Sequence, residues 1–113
     1  MSEVPGRALP KRGEVWLADI TGDKIRPVVI MTRSAVIPHL HSVIAAPVTS
    51  TIRAIPSEVP LGAVEGLLHD SVANFDNIQL IDRQFLIVAI GSLGTEKLSA
   101  ACAALAHATA CGT

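Results

Sequence analysis

The sequence predicts a mainly β domain with some α structure: a small antiparallel barrel closed by one C-terminal helix. Three observations carry this. Short β-prone runs recur between glycine and proline punctuation along most of the chain. Strands and helices do not alternate regularly, which argues against a parallel sheet. The one strong helical period comes last, where Leu98, Ala101, Cys102, Leu105 and Thr109 recur at helical spacing.

Each element has its own signal. Residues 1–11 hold prolines and a glycine but no apolar run, and read as a flexible lead-in to a single domain over 12–113. Arg12 to Ile20 alternates and opens the fold as a first strand. Thr21-Gly22-Asp23-Lys24 has turn chemistry. The run Val28 to Met31 is continuously apolar and rich in β-branched residues, as suits a strand buried on both faces. Ser34 to Ser42 reads as a loop, and Val43 to Val48 as a third strand. Pro47 inside that strand points to an edge, a bulge or the strand's end. Further strands are expected at Glu58–Leu61, Asp70–Asp76, Ile78–Ile81 and Leu86–Ile90. Thr95 is a good N-cap for the alanine-rich helix, with Gly112 closing it.

Composition bounds the function. Half of the 113 residues are hydrophobic and 17% are charged, so the chain is globular. That apolar load is high for so small a domain and points to burial against a second copy or a partner. The formal net charge of −1 supplies no overall basic field, so any nucleic-acid contact has to be local. Cys102 and Cys111 are nine residues apart in one helical segment and read as reduced thiols of a cytoplasmic protein. No signal peptide and no membrane-spanning run is apparent.

Most catalytic signatures are absent. There is no phosphate-binding glycine loop and no nucleophile elbow. His39-x-His41 with His69-Asp70 is a thin metal signal, better read as solvated loop histidines, and no metal or cofactor is expected. Cys102 lies on the helix's apolar stripe, where a buried structural thiol is the simplest reading. What remains is polar residues at strand ends. Arg26 is held extended by Pro27 at the mouth of the second strand, a position suited to gripping an anion, although in isolation a solvated arginine flanking a strand is the simpler reading. Thr49, Ser50 and Thr51 end the third strand, either as a turn satisfied by its own hydroxyls or as donors to a phosphate. Asp76-Asn77 reads as a bulge or turn first, a site second. Trp16 suits a core or dimer contact better than a base-stacking platform.

Taken in order, Arg12-Gly13-Glu14-Val15-Trp16, Arg26-Pro27-Val28-Val29-Ile30, Ala46-Pro47-Val48-Thr49-Ser50, Ser71-Val72 through Asp76-Asn77-Ile78, and Gly91 to Leu105 resemble the MazF/PemK family of toxins. The resemblance spans roughly residues 12–108. It implies an SH3-like barrel of the CcdB/PemK type and a homodimer. It also implies a sequence-specific, metal-independent endoribonuclease that cuts single-stranded RNA to 2′,3′-cyclic phosphate and 5′-OH ends, held in check by a cognate MazE-like antitoxin. Carried over residue by residue, the catalytic arginine falls on Arg26 and the catalytic threonine on Thr49. Lys24, Ser50, Thr51, Arg53, Asp76 and Asn77 are the candidate RNA-binding residues. The loop after the first strand, Thr21 to Ile25, is shorter than in many relatives. A CcdB-like toxin that binds a topoisomerase is the alternative, but the tail Ala110-Cys111-Gly112-Thr113 lacks the aromatic anchor that role needs.

Overall fold

The computed structural model describes residues 3–20, 22 and 24–111. Seven strands form one antiparallel sheet: β1 (Glu14–Asp19), β2 (Ile25–Ile30), β3 (Ser42–Thr49), β4 (Glu58–Leu61), β5 (Ser71–Asn74), β6 (Gln79–Asp82) and β7 (Leu86–Ser92). The helix α1 (Thr95–Thr109) follows. The mainly β class and the closing helix match expectation. The barrel does not close: the strand path is β4-β5-β3-β2-β1-β7, with β6 pairing β3 off that path.

β3 explains this topology. It lies beside β2 on one edge, with Val28 opposite Pro47 and Ile30 opposite Ala45. On its other edge it changes partner. Ser42 to Ala45 pair with β6, and Val48 and Thr49 pair with β5. Pro47 falls in the gap between the two, so its missing N–H costs no ladder bond on that edge. The proline therefore sits inside a central strand, at a break in pairing along one edge, rather than on an edge strand or at the strand's end.

Two apolar clusters fill the faces of the bent sheet. One gathers Val15, Val29, Ala46, Val48, Val59, Ala73 and Phe75 under α1. The other gathers Ala18, Val28, Ile30, Val43, Ala45 and Ile81, with Trp16 packed at its margin. Alternating residues of β2 serve opposite clusters, and Val28, Val29 and Ile30 are all fully buried. On α1, Ala101 and Ala104 are buried with Leu98, Leu105 and Ala108 beside them. Cys102 is exposed rather than buried, and an Arg12 guanidinium N–H donates to its Sγ at 2.8 Å. The apolar stripe runs one position to the side of Cys102, through the alanines. The helix begins after Gly94 and ends at Ala110, which adopts a left-handed conformation (φ 58°). Gly112, expected as its stop, lies outside the described residues, as do Thr21 and Asp23 of the first turn.

Short 3₁₀ turns occupy stretches that read as loop or strand. Ser34–His39 forms one such turn, Ala63–Glu65 a second, and Phe75–Asn77 a third at the end of β5. Asn74 initiates the last of these by accepting the Asp76 N–H at 3.0 Å. The turn at Ala63–Glu65 packs backbone to backbone on β7. A Cβ at Gly91 would sit 2.1 Å from the Glu65 carbonyl oxygen, so only glycine fits there.

A fourth turn, Arg83–Phe85, carries the most consequential side chain. Arg83 is 1% exposed. Its guanidinium donates to the carbonyls of Ala8 (2.7 Å), Ile37 (3.1 Å) and Leu40 (2.8 Å). Residues 3–11, read from the sequence as a lead-in, run across the domain at this point. Val4 N–H donates to Pro38 C=O at 2.7 Å, and Arg7 pairs with Asp82 at 3.2 Å.

Arg83→Ala should lower the unfolding free energy by about 3 kcal/mol, since charged hydrogen bonds are lost and buried carbonyls are left unpaired. Arg83→Lys should recover a minority of that loss in urea titrations, because an ammonium cannot span three carbonyls as a planar fork does. The Gln84 N–H bond to Asp82, with help from Arg7, holds the Asp82 carboxyl below the usual range against partial burial. A depressed pKa stabilises the fold above the unfolded value of about 4 and loses that contribution as pH falls through the folded value. Asp82→Asn should therefore flatten the decline in melting temperature below about pH 4.

Candidate active site

The site is built where three strand ends meet. Extending the β2–β3 register two residues beyond Val28–Pro47 sets Arg26 opposite Thr49. Residues opposite one another share a face, so both side chains project on the same side of the sheet. Pro27 keeps Arg26 extended, and the buried Val28 to Ile30 run anchors its backbone. Among the described residues, none accepts a hydrogen bond from the Arg26 guanidinium. Thr49 Oγ1 accepts the Thr51 N–H at 3.1 Å. The turn reading and the donor reading therefore coexist: a lone pair serves the backbone while the O–H stays free to donate.

Two clefts flank this pair. One, of about 280 Å³, is lined by Lys24, Arg26, Thr49, Ser50, His69 and Ser71 together with Ile25, Pro27 and Val48. The other, of about 290 Å³, is lined by Arg26, Thr49, Thr51, Arg53, Asn74 and Asn77 with Pro47 and Val48. Arg26 and Thr49 are shared by both. Three cations face the clefts, and no carboxylate lines either one among the described residues. The chain's net charge of −1 thus hides a local positive rim suited to a polyanion.

The loop carrying Arg53 is held from beneath. Glu58 Oε1 accepts the N–H groups of Arg53 (2.9 Å) and Ala54 (3.0 Å). The Glu58 side chain is 1% exposed, and its Oε2 lies 3.9 Å from Arg53 Nε. These bonds stabilise Ala54 in a left-handed conformation (φ 56°) that L-residues rarely adopt.

Of the residues expected at the site, Arg26, Thr49, Lys24, Ser50, Thr51, Arg53 and Asn77 converge on the clefts. Asp76 lines neither: its Oδ2 accepts the Ser57 hydroxyl at 2.5 Å. Asn74, His69 and Ser71 join the lining without having been singled out for it. His69 had drawn notice only as part of a thin metal pattern. The fold separates it from His41, which borders a different cavity, and among the described residues no three His, Cys, Asp or Glu side chains cluster as metal ligands. That other cavity is larger, about 510 Å³, and mostly apolar through Val36, Leu40, Ile44 and Leu80, with Thr32, Arg33, His41 and Ser42 sharing its lining.

The structure is a small, mainly β domain whose strand ends carry an arginine–hydroxyl rim. Residues 11–109 match the family model described as the PemK-like, MazF-like toxin of type II toxin–antitoxin systems, and the chain belongs to that family. The probable endoribonuclease MazF5 of Mycobacterium tuberculosis is 37% identical over 105 residues, covering 92% of this chain and 96% of the relative. The M. tuberculosis toxin MazF-mt6 superposes with a TM-score of 0.81 at 40% identity, covering 86% of this chain and 96% of that one. A mycobacterial endoribonuclease solved with its cognate antitoxin gives 0.82 at 30% identity, covering 92% and 98%.

Glu58→Ala should cost about 2 kcal/mol of stability, since two buried N–H groups lose their acceptor. Hydrogen exchange should show the Arg53 and Ala54 amides losing protection well beyond the global change.

Proposed function

We propose that this chain is the toxin of a type II toxin–antitoxin pair, an endoribonuclease whose reacting phosphate sits between Arg26 and Thr49. The observation that carries the reading is that Arg26 and Thr49 both line both clefts of one rim, which no carboxylate lines among the described residues. RNA contains its own nucleophile, the 2′-OH, so cleavage asks the protein to position the phosphodiester and neutralise charge rather than to supply a metal. The Arg26 guanidinium stays protonated and balances the charge that develops on phosphorus. The Thr49 hydroxyl donates to a nonbridging oxygen. The products are a 2′,3′-cyclic phosphate and a 5′-OH.

Lys24 and Ser50 on one side, and Thr51, Arg53 and Asn77 on the other, flank the reacting phosphate, as a single strand passing through both clefts requires. Asp76 contributes by holding Ser57 rather than by touching RNA. The toxin works as a homodimer in the cytoplasm, bound and silenced by a MazE-like antitoxin whose disordered segment folds onto it. Exposed apolar residues such as Ile44 and Leu80, paired across β3 and β6, agree with a chain that associates. No described helix is long and apolar enough to cross a membrane. The topoisomerase-binding alternative gains nothing from this rim, which such a role leaves unused.

Antitoxin-free protein incubated in EDTA with a long single-stranded RNA should cut at a limited set of sites, and end mapping should find cyclic phosphates. Arg26→Ala and Thr49→Ala should each slow cleavage by about 10²-fold or more with melting temperature unchanged. Intact RNA with folded wild-type protein would overturn the ribonuclease reading, and a variant cutting at the wild-type rate would remove that residue from the mechanism.

A further inference from the structure

The residues so far assigned leave one chemical requirement unmet. Attack by a 2′-OH on phosphorus needs an acceptor for the hydroxyl proton. Arginine ordinarily stays protonated throughout the neutral range, and a threonine hydroxyl is a donor of no useful basicity at neutral pH. Donors are plentiful on the rim, in Lys24, Arg26, Arg53 and the hydroxyls. A base is what the rim is short of. Among the described residues lining the two clefts there is no Asp or Glu and one imidazole, His69. Imidazole is the side chain best suited to exchange a proton near neutrality.

The fold places His69 deliberately. β5 pairs with the end of β3, Thr49 opposite Val72, so the chain entering β5 passes beside the Thr49–Ser50 corner. Ser71 is buried, and its hydroxyl donates to the His69 carbonyl at 3.0 Å, which fixes the backbone two residues ahead of the strand. The His69 side chain itself is exposed and makes no hydrogen bond to the described residues, leaving the ring available to a ligand. The neighbouring Asp70 carboxylate lies against Gly62, on the turn that follows β4. Lys24 and Arg26 are the charged groups that share the cleft with His69.

We propose that His69 is a further catalytic residue, the general base that takes the 2′-hydroxyl proton; this rests on the ribonuclease reading above. Neutral imidazole accepts that proton as the 2′-O–P bond forms. The P–O5′ bond breaks, and its electron pair leaves with the 5′-oxygen. Water in the open cleft protonates that oxygen, and the imidazolium then returns its proton to solvent. Arg26 and Thr49 balance charge on the nonbridging oxygens throughout, which frees the arginine from any proton-transfer duty.

The test is the pH–rate profile of RNA cleavage by the wild type, His69→Gln and His69→Ala, with affinity for a 2′-deoxy substrate analogue measured in parallel. Wild-type kcat/KM should rise with pH along a limb set by one ionisation. Both variants should lose about 10²-fold at neutral pH and lose that limb. Added imidazole should restore part of the His69→Ala rate, and analogue affinity should stay within about twofold, since the base acts in the transition state. A rate loss that leaves the acidic limb in place, a loss explained by weaker analogue binding, or variants that cut at the wild-type rate would each overturn the assignment. Wild-type protein that leaves RNA intact would instead overturn the ribonuclease reading itself.

Discussion

The buried guanidinium of Arg83 is the constraint from which the geometry of the rest follows. A charge with almost no solvent contact is stabilised here by carbonyl dipoles alone, those of Ala8, Ile37 and Leu40 foremost. Desolvation makes such an arrangement costly unless every donor is aimed correctly. Three separate chain segments must therefore be in place together. The Arg83 N–H adds a bond to the His41 carbonyl at 2.8 Å, next to the first residue of β3. The start of β3 is thereby locked to the end of β6. The ladder from Ser42–Asp82 to Ala45–Gln79 carries that register forward, and a separate ladder on the other edge, Val28–Pro47 to Ile30–Ala45, sets the end of β3 beside the start of β2.

β3 is the other half of the design. By exchanging β6 for β5 at Pro47, β3 bends, and its last residues open onto two clefts instead of one. Arg26 and Thr49 sit on the ridge between them. On the proposed reading, a phosphodiester backbone bound along such a ridge would have its reacting phosphate at the shared pair and its flanking nucleotides on either side. The supporting carboxylate of Glu58 lies behind the rim, where it can order the Arg53 loop without presenting negative charge to the ligand.

Much of this was legible before any coordinates. The β2 run, the short punctuated strands and the terminal helix announce themselves through periodicity. Arg26 and Thr49 stand out through strand-end chemistry and the ordered family motifs. Cys102 misled because the helical stripe admits two neighbouring alignments, and an alanine-rich surface gives little to choose between them; packing selected Ala101 and Ala104. Asp76 reads from sequence as a turn first and a groove residue second, and its carboxylate holds Ser57 without lining either cleft. Arg83 carried no signal at all, since a lone arginine between strands usually lies in solvent.

The sequence by itself determined most of the elements, the absence of a general basic field and the position of one arginine at the mouth of a buried strand. These are local properties, written in side-chain period, turn chemistry and charge. Only the tertiary structure decided that the barrel stays open and that Thr49 faces Arg26. The same structure brings His69 to that corner while Asp76 turns away to Ser57. Such pairings join residues that are far apart along the chain, and they depend on the register of β3 against three neighbours. Register is set by simultaneous burial on both faces of a bent sheet and by the one cation that the carbonyls beneath it must satisfy.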